Sequence, residues 1–181
     1  MIRRSAAPLG CGVLLAAMAL GGCGLDNNPP AGLPIYQSLA TADAKLDVKT
    51  AVSMISGYRK NNGLGPVSVD PELMKLAEAQ AHAMATRNKL SHDVWRPFAD
   101  RIRDSTFDAS TAVENVAAGY DNLAEAFAGW RESPQHRANM LNPAVTKMGI
   151  AAVYAPASRY KVFWSLIMAK PDDQHQSARA G

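Results

Sequence analysis

The sequence predicts an α+β domain in which helices come first and a small antiparallel sheet closes the chain. Two helix-start signals carry this reading. Asp70-Pro71 and Ser133-Pro134 each place a capping side chain before a proline that suits the first helical position. The third observation lies near the C-terminus. Residues 149–154 and 162–168 are short apolar runs rich in β-branched and aromatic side chains.

Taken in order, Leu46, Ala51, Val52, Ile55 and Tyr58 recur at helical spacing and predict a first helix, stopped by Asn61-Asn62-Gly63. Asp70-Pro71-Glu72 opens a second helix over residues 71–90, with Leu73, Ala77, Ala81 and Met84 on one face. A short third helix falls over residues 98–103. Asp121 is expected to cap a fourth over residues 122–132, with Leu123, Ala126, Phe127 and Trp130 as its buried stripe. A separate helix runs from Ser133-Pro134 to Leu141, and Asn142-Pro143 ends it. Glu114-Asn115-Val116-Ala117 supplies a further strand. The connector over residues 155–160 holds Pro156, so the two C-terminal runs form an antiparallel hairpin.

The first residues indicate a compartment. Arg3 and Arg4 precede an apolar run from Val13 to Leu20, and Leu20-Gly21-Gly22-Cys23 follows. This is the pattern of a secretory leader and is too short for a stable membrane span. The tetrapeptide resembles the lipobox of bacterial lipoproteins, in which the cysteine becomes the acylated first mature residue and anchors the chain to the membrane. The expected organisation is a leader over residues 1–22, a lipidated tether over 23–41, one domain over 42–170 and a flexible tail over 171–181. Asn27-Asn28-Pro29-Pro30 and Gly32-Leu33-Pro34 oppose helix and central strand alike. Cys11 leaves with the leader and Cys23 carries lipid, so the domain is expected to hold no disulfide and no catalytic thiol.

Charge narrows the function classes. Nineteen Lys and Arg against 16 Asp and Glu give a formal net charge of +3, and loss of Arg3 and Arg4 takes it to +1. A nearly neutral domain without a basic block is not expected to bind nucleic acid. The chain contains no Gly-x-Ser-x-Gly elbow and no phosphate-binding glycine loop.

The constellation that could carry chemistry is His92, Glu114 and His136, each at an expected element boundary. His136 would stand in the first turn of its helix, near the positive end, which favours a neutral ring. Two neutral imidazoles and a carboxylate suit zinc or another divalent cation and leave a fourth position open to water. On spacing alone, the same residues equally fit a hydrogen-bonded structural network. His82 follows Glu78 by one helical turn and reads as its surface partner. Trp130 and Trp164 read as core, and Arg101 with Arg103 as a solvated helix face. Arg137 and Asn139 flank His136 and either pin its helix or contact a ligand.

Ser91-His92, Glu114-Asn115-Val116-Ala117 and Trp130-x-x-Ser133-Pro134-x-His136-Arg137-x-Asn139-Met140-Leu141-Asn142-Pro143 resemble the signature blocks of bacterial CAP (SCP-like) domains. Tyr58-Arg59, Ala81-His82-Ala83-x-Ala85 and Gly149-Ile150-Ala151 match in the same order. The resemblance spans about residues 46–169 and implies an α-β-α sandwich with a cleft. It also implies that two histidines and two acidic residues line that cleft and sometimes hold zinc, roles that fall on His92, Glu114 and His136. The second acidic residue of animal and plant relatives is Ser133 here. Glu132 is adjacent, but one helical step turns a side chain by about 100°. Three functions are therefore expected in turn. The first is a non-catalytic envelope module binding a lipid, glycan or protein. The second is a metal-dependent hydrolase with Glu114 as ligand or base, and the third a purely structural lipoprotein.

Overall fold

The structure, a computed structural model, describes residues 32–172. The expected leader, Cys11, Cys23 and the tail from residue 173 lie outside the described residues. A single turn of 3-10 helix, Pro34–Tyr36, precedes α1 (Val48–Asn61), β1 (Ser68–Val69), α2 (Pro71–Arg87) and α3 (Phe98–Arg103). Then come β2 (Ala109–Ala118), α4 (Leu123–Glu132), α5 (Pro134–Met140), β3 (Lys147–Ala155) and β4 (Lys161–Pro171).

Local chemistry sets most helix ends. The Asp47 carboxylate accepts the Thr50 amide at 3.0 Å and starts α1 two residues after the apolar pattern begins at Leu46. Asp70 accepts the amides of Glu72 and Leu73 at 2.9 and 3.1 Å, with Pro71 at the first position of α2. That helix stops at Arg87, short of residue 90, because Asn88 turns left-handed at φ 48° and the Lys89 amide closes back on Met84. The cap of α4 is Asn122, not the expected Asp121. Asn122 Oδ1 accepts the Glu125 amide, while the Glu125 carboxylate accepts the Asp121 amide. Ser133 stands at the cap position of α5, but its side chain makes no capping bond.

The four strands lie in the order β1-β3-β4-β2. The C-terminal hairpin pairs Lys147 with Ala169 through Ala155 with Lys161, and β2 runs antiparallel to the other side of β4. The two-residue β1 pairs parallel with the start of β3, an exception to the all-antiparallel sheet expected. All three longer strands exceed their expected spans, because pairing carries them past the apolar runs, over Lys147, Lys161 and Lys170 among others.

β4 is central and buried from Val162 to Ala169. Its alternate side chains serve two cores. Val162, Trp164, Leu166 and Met168 join Ala51, Ile55, Leu123, Ala126, Trp130 and Met140 beneath α1, α4 and α5. Phe163, Ile167 and Ala169 face α2, meeting Met84 or Leu73 and Ala77. The result is an α-β-α sandwich. Trp130 and Trp164 meet edge to face at 6.3 Å in the first core. Gly149 lets β3 approach α2, since a Cβ there would lie 2.1 Å from the backbone of Leu73.

Part of the expected tether is domain. Leu39 is buried and its amide donates to the Asp121 carbonyl, so the wall of the sandwich begins before residue 42. The buried Arg59 guanidinium ties α1 to the end of α5, donating to the carbonyls of Gly65, Met140, Asn142 and Val145. Burial lowers its pKa from the ordinary arginine value.

Candidate functional site

β2 is an edge strand, and its alternation divides the site. Val116 packs with Met84 and Phe163 on the α2 side, and Ala117 belongs to the core under α4 and α5. Glu114 shares the parity of Val116, and Asn115 that of Ala117. The loop after α2 brings His92 to the Glu114 side. On the other, the Asn115 amide donates to the His136 carbonyl of α5 at 3.0 Å. Asn139 locks the same helix to the strand by donating to the Glu114 carbonyl at 3.1 Å and to Asn115 Oδ1 at 2.9 Å. Of the two expected roles for Asn139, pinning is the one the structure shows.

Glu114 is the hub of the His92 side. His92 Nδ1 lies 2.8 Å from Glu114 Oε2. A carboxylate has no proton to give, so Nδ1 carries it and donates, leaving Nε2 away from the strand. The glutamate side chain is 1% exposed and the histidine 44%. The hydrogen bond to Glu114 raises the His92 pKa above the ordinary 6.5, against an opposing effect of burial. Burial lowers that of His136, and the nearby His92 charge adds to the lowering. The two rings are thus pushed in opposite directions, His92 toward holding its proton and His136 toward losing it.

Arg101 overturns its sequence reading. Arg103 is an exposed partner of Asp100 and Asp104, as a solvated helix face requires. Arg101 on the same short helix is fully buried. Its Nη2 donates to both Glu114 oxygens at 2.9 and 3.0 Å and to the His92 carbonyl at 3.0 Å. The Phe98 ring lies 5.2 Å from the guanidinium carbon. Helical spacing hid this, because nothing in a six-residue element distinguishes the buried arginine from the exposed one.

Gln80 was also missed. It is completely buried on α2, and its Nε2 donates to the carbonyls of Ser91 and His92 at 2.7 and 3.1 Å. Its Oε1 accepts the indole N–H of Trp95, a ring left 39% exposed. One glutamine thus fixes both the His92 backbone and a surface tryptophan. A polar residue on the apolar stripe of α2 was the available signal. Glu78 and His82 form the expected exposed pair across one turn, at 3.9 Å.

Glu114, the expected third ligand, is already engaged. Both Glu114 oxygens accept from Arg101, and Oε2 also accepts from His92, while the His136 ring stands near enough to His92 to feel its charge. Among the described residues, no group of three or more His, Cys, Asp or Glu is arranged to hold a metal ion. The donors left for zinc or another divalent cation are His92 Nε2 and the His136 ring, one fewer than a catalytic zinc site uses.

An α-β-α sandwich with paired histidines, a buried glutamate and an Asn-pinned helix at one sheet edge defines a CAP-type domain. The sequence profile of the CAP, or cysteine-rich secretory protein, family matches residues 52–168, and the chain belongs to that family. YkwD, an uncharacterised protein of Bacillus subtilis (strain 168), is 32% identical over 108 residues, covering 58% of this chain and 42% of YkwD. YlbC, an uncharacterised membrane protein of the same bacterium, is 27% identical over 104 residues, covering 56% of this chain and 30% of YlbC. The chain thus spans less than half the length of either. Among solved structures, an outer surface protein from Borrelia burgdorferi is similar with a TM-score of 0.65 at 22% identity, over 72% of this chain and 97% of that one. An extracellular SCP-domain protein from Bacillus anthracis is similar with a TM-score of 0.59 at 23% identity, over 67% and 39%. At such identities the likeness is one of fold.

Proposed function

We propose that this CAP domain acts outside the cytoplasmic membrane, held there by lipid on Cys23, and binds a lipid, glycan or envelope protein without turning it over. The observation that carries the reading is the engagement of Glu114. A general base must offer an oxygen to the water or hydroxyl it deprotonates. Here the Glu114 carboxylate, the only buried one of the site among the described residues, is 1% exposed and spends its oxygens on Arg101 and His92. Half-exposed His92 and His136 and the exposed Trp95 are then contact groups for a ligand.

The compartment rests on the Leu20-Gly21-Gly22-Cys23 leader pattern and on the nature of the similar structures, one an extracellular protein and one an outer surface protein. No helix among the described residues is long and apolar enough to cross a membrane. Detergent-phase partitioning of the chain expressed in a bacterial host should be lost in Cys23→Ser. Retention in the aqueous phase by the unaltered chain would remove the anchor from the proposal.

The binding reading is tested with the full chain on a glycan array, on phospholipid vesicles and against chromogenic ester, amide and phosphodiester substrates. Binding weakened by His92→Ala/His136→Ala, with no turnover, is the expected result. Hydrolysis abolished by Glu114→Gln would replace it with the hydrolase reading.

A further inference from the structure

The oxygens around the Arg101 guanidinium are a cation's surroundings. Two come from the Glu114 carboxylate and one from the His92 carbonyl, all within 3.0 Å of Nη2. Carboxylate and carbonyl oxygens are the donors a divalent ion would recruit from the protein. The site is sealed as well as charged, since the arginine and glutamate side chains are 0% and 1% exposed. An incoming ion that sought Glu114 would have to sit beside a fixed positive charge, where little water screens the repulsion.

From this we infer that Arg101 takes the place of a metal ion at Glu114 and so decides that no carboxylate completes the histidine pair. The guanidinium holds Glu114 turned toward α3, and Glu114 in turn holds His92 by Nδ1. Arg101 is a specificity-determining residue that acts through Glu114, and it touches no metal itself. This holds whichever ligand the domain binds.

Zinc titration of the full chain, by calorimetry at neutral pH, tests it. The unaltered chain is expected to show at most weak binding through His92 and His136, weakened further in Glu114→Gln, because a carboxylate that holds a metal-binding imidazole by its other nitrogen supports the metal by about 10–100-fold. Arg101→Met frees the carboxylate and should tighten zinc binding by at least about 10-fold, the scale on which a change just outside a metal's ligand set acts. Arg101→Met/Glu114→Gln should lose the gain. Circular dichroism establishes that each variant is folded. A folded Arg101→Met with unchanged affinity overturns the inference. So does a gain that survives in Arg101→Met/Glu114→Gln, because the freed carboxylate would then not be what binds. If Arg101→Met does not fold, Arg101→Gln, which keeps a donor for Glu114 without the charge, is titrated in its place: a gain lost on adding Glu114→Gln supports the inference and unchanged affinity refutes it.

Discussion

Arg101 and Glu114 require one another. Either charge left alone in that interior would be uncompensated, and removing one member of a buried pair costs about 3–5 kcal/mol. Arg101→Met should therefore lower unfolding stability by that amount in urea, whereas Arg103→Met, on the exposed side of α3, should change it by less than about 0.5 kcal/mol. Equal effects would show that the buried pair is not what holds α3 in place. The histidines titrate in opposite senses. His92 has a raised pKa, so its contribution to stability is complete below about 6.5 and is lost as pH rises through the raised folded value. His136 has a lowered pKa, so its contribution is complete above about 6.5 and is lost as pH falls through the lowered value. Thermal melts across this range should show His92→Asn losing its deficit toward alkaline pH and His136→Asn losing its own toward acid pH. Parallel profiles for the two variants would contradict that assignment.

Among the elements, α4 offers the sharpest discrimination. Asp121-Asn122 holds two residue types that cap helices well, and only geometry selects between them. Asn122 caps α4 and Asp121 contributes only backbone, receiving the Glu125 carboxylate on its amide and Leu39 on its carbonyl. Asn122→Ala should cost about 1 kcal/mol and Asp121→Ala much less, measured by denaturant unfolding. The reverse order would restore the assignment made from sequence. Strand ends followed a similar logic. Apolar runs marked the middles of β3 and β4, but Lys147, Lys161 and Lys170 belong to those strands through pairing alone. β1 is two residues long and carries no periodic signal at all.

The whole molecule depends on β4, whose two faces feed both cores. Trp164 is completely buried, packs against Trp130 and donates its indole N–H to the Tyr120 carbonyl at 2.8 Å. Trp164→Ala should cost about 3–5 kcal/mol, enough to unfold a domain of ordinary stability near body temperature. A melting point within a few degrees of the unaltered chain would mean that the core beneath α1, α4 and α5 does not depend on this ring. Most of this architecture was legible, because capped helices and apolar strands announce themselves locally. The sequence by itself determined the order of the five α-helices and three longer strands, the family and the three polar residues singled out near β2. Only the tertiary structure decided what those residues do to one another. Which oxygen Glu114 offers, and to whom, depends on an arginine thirteen positions away and on the face of an edge strand. Burial and distance across the fold are quantities that no local spacing encodes.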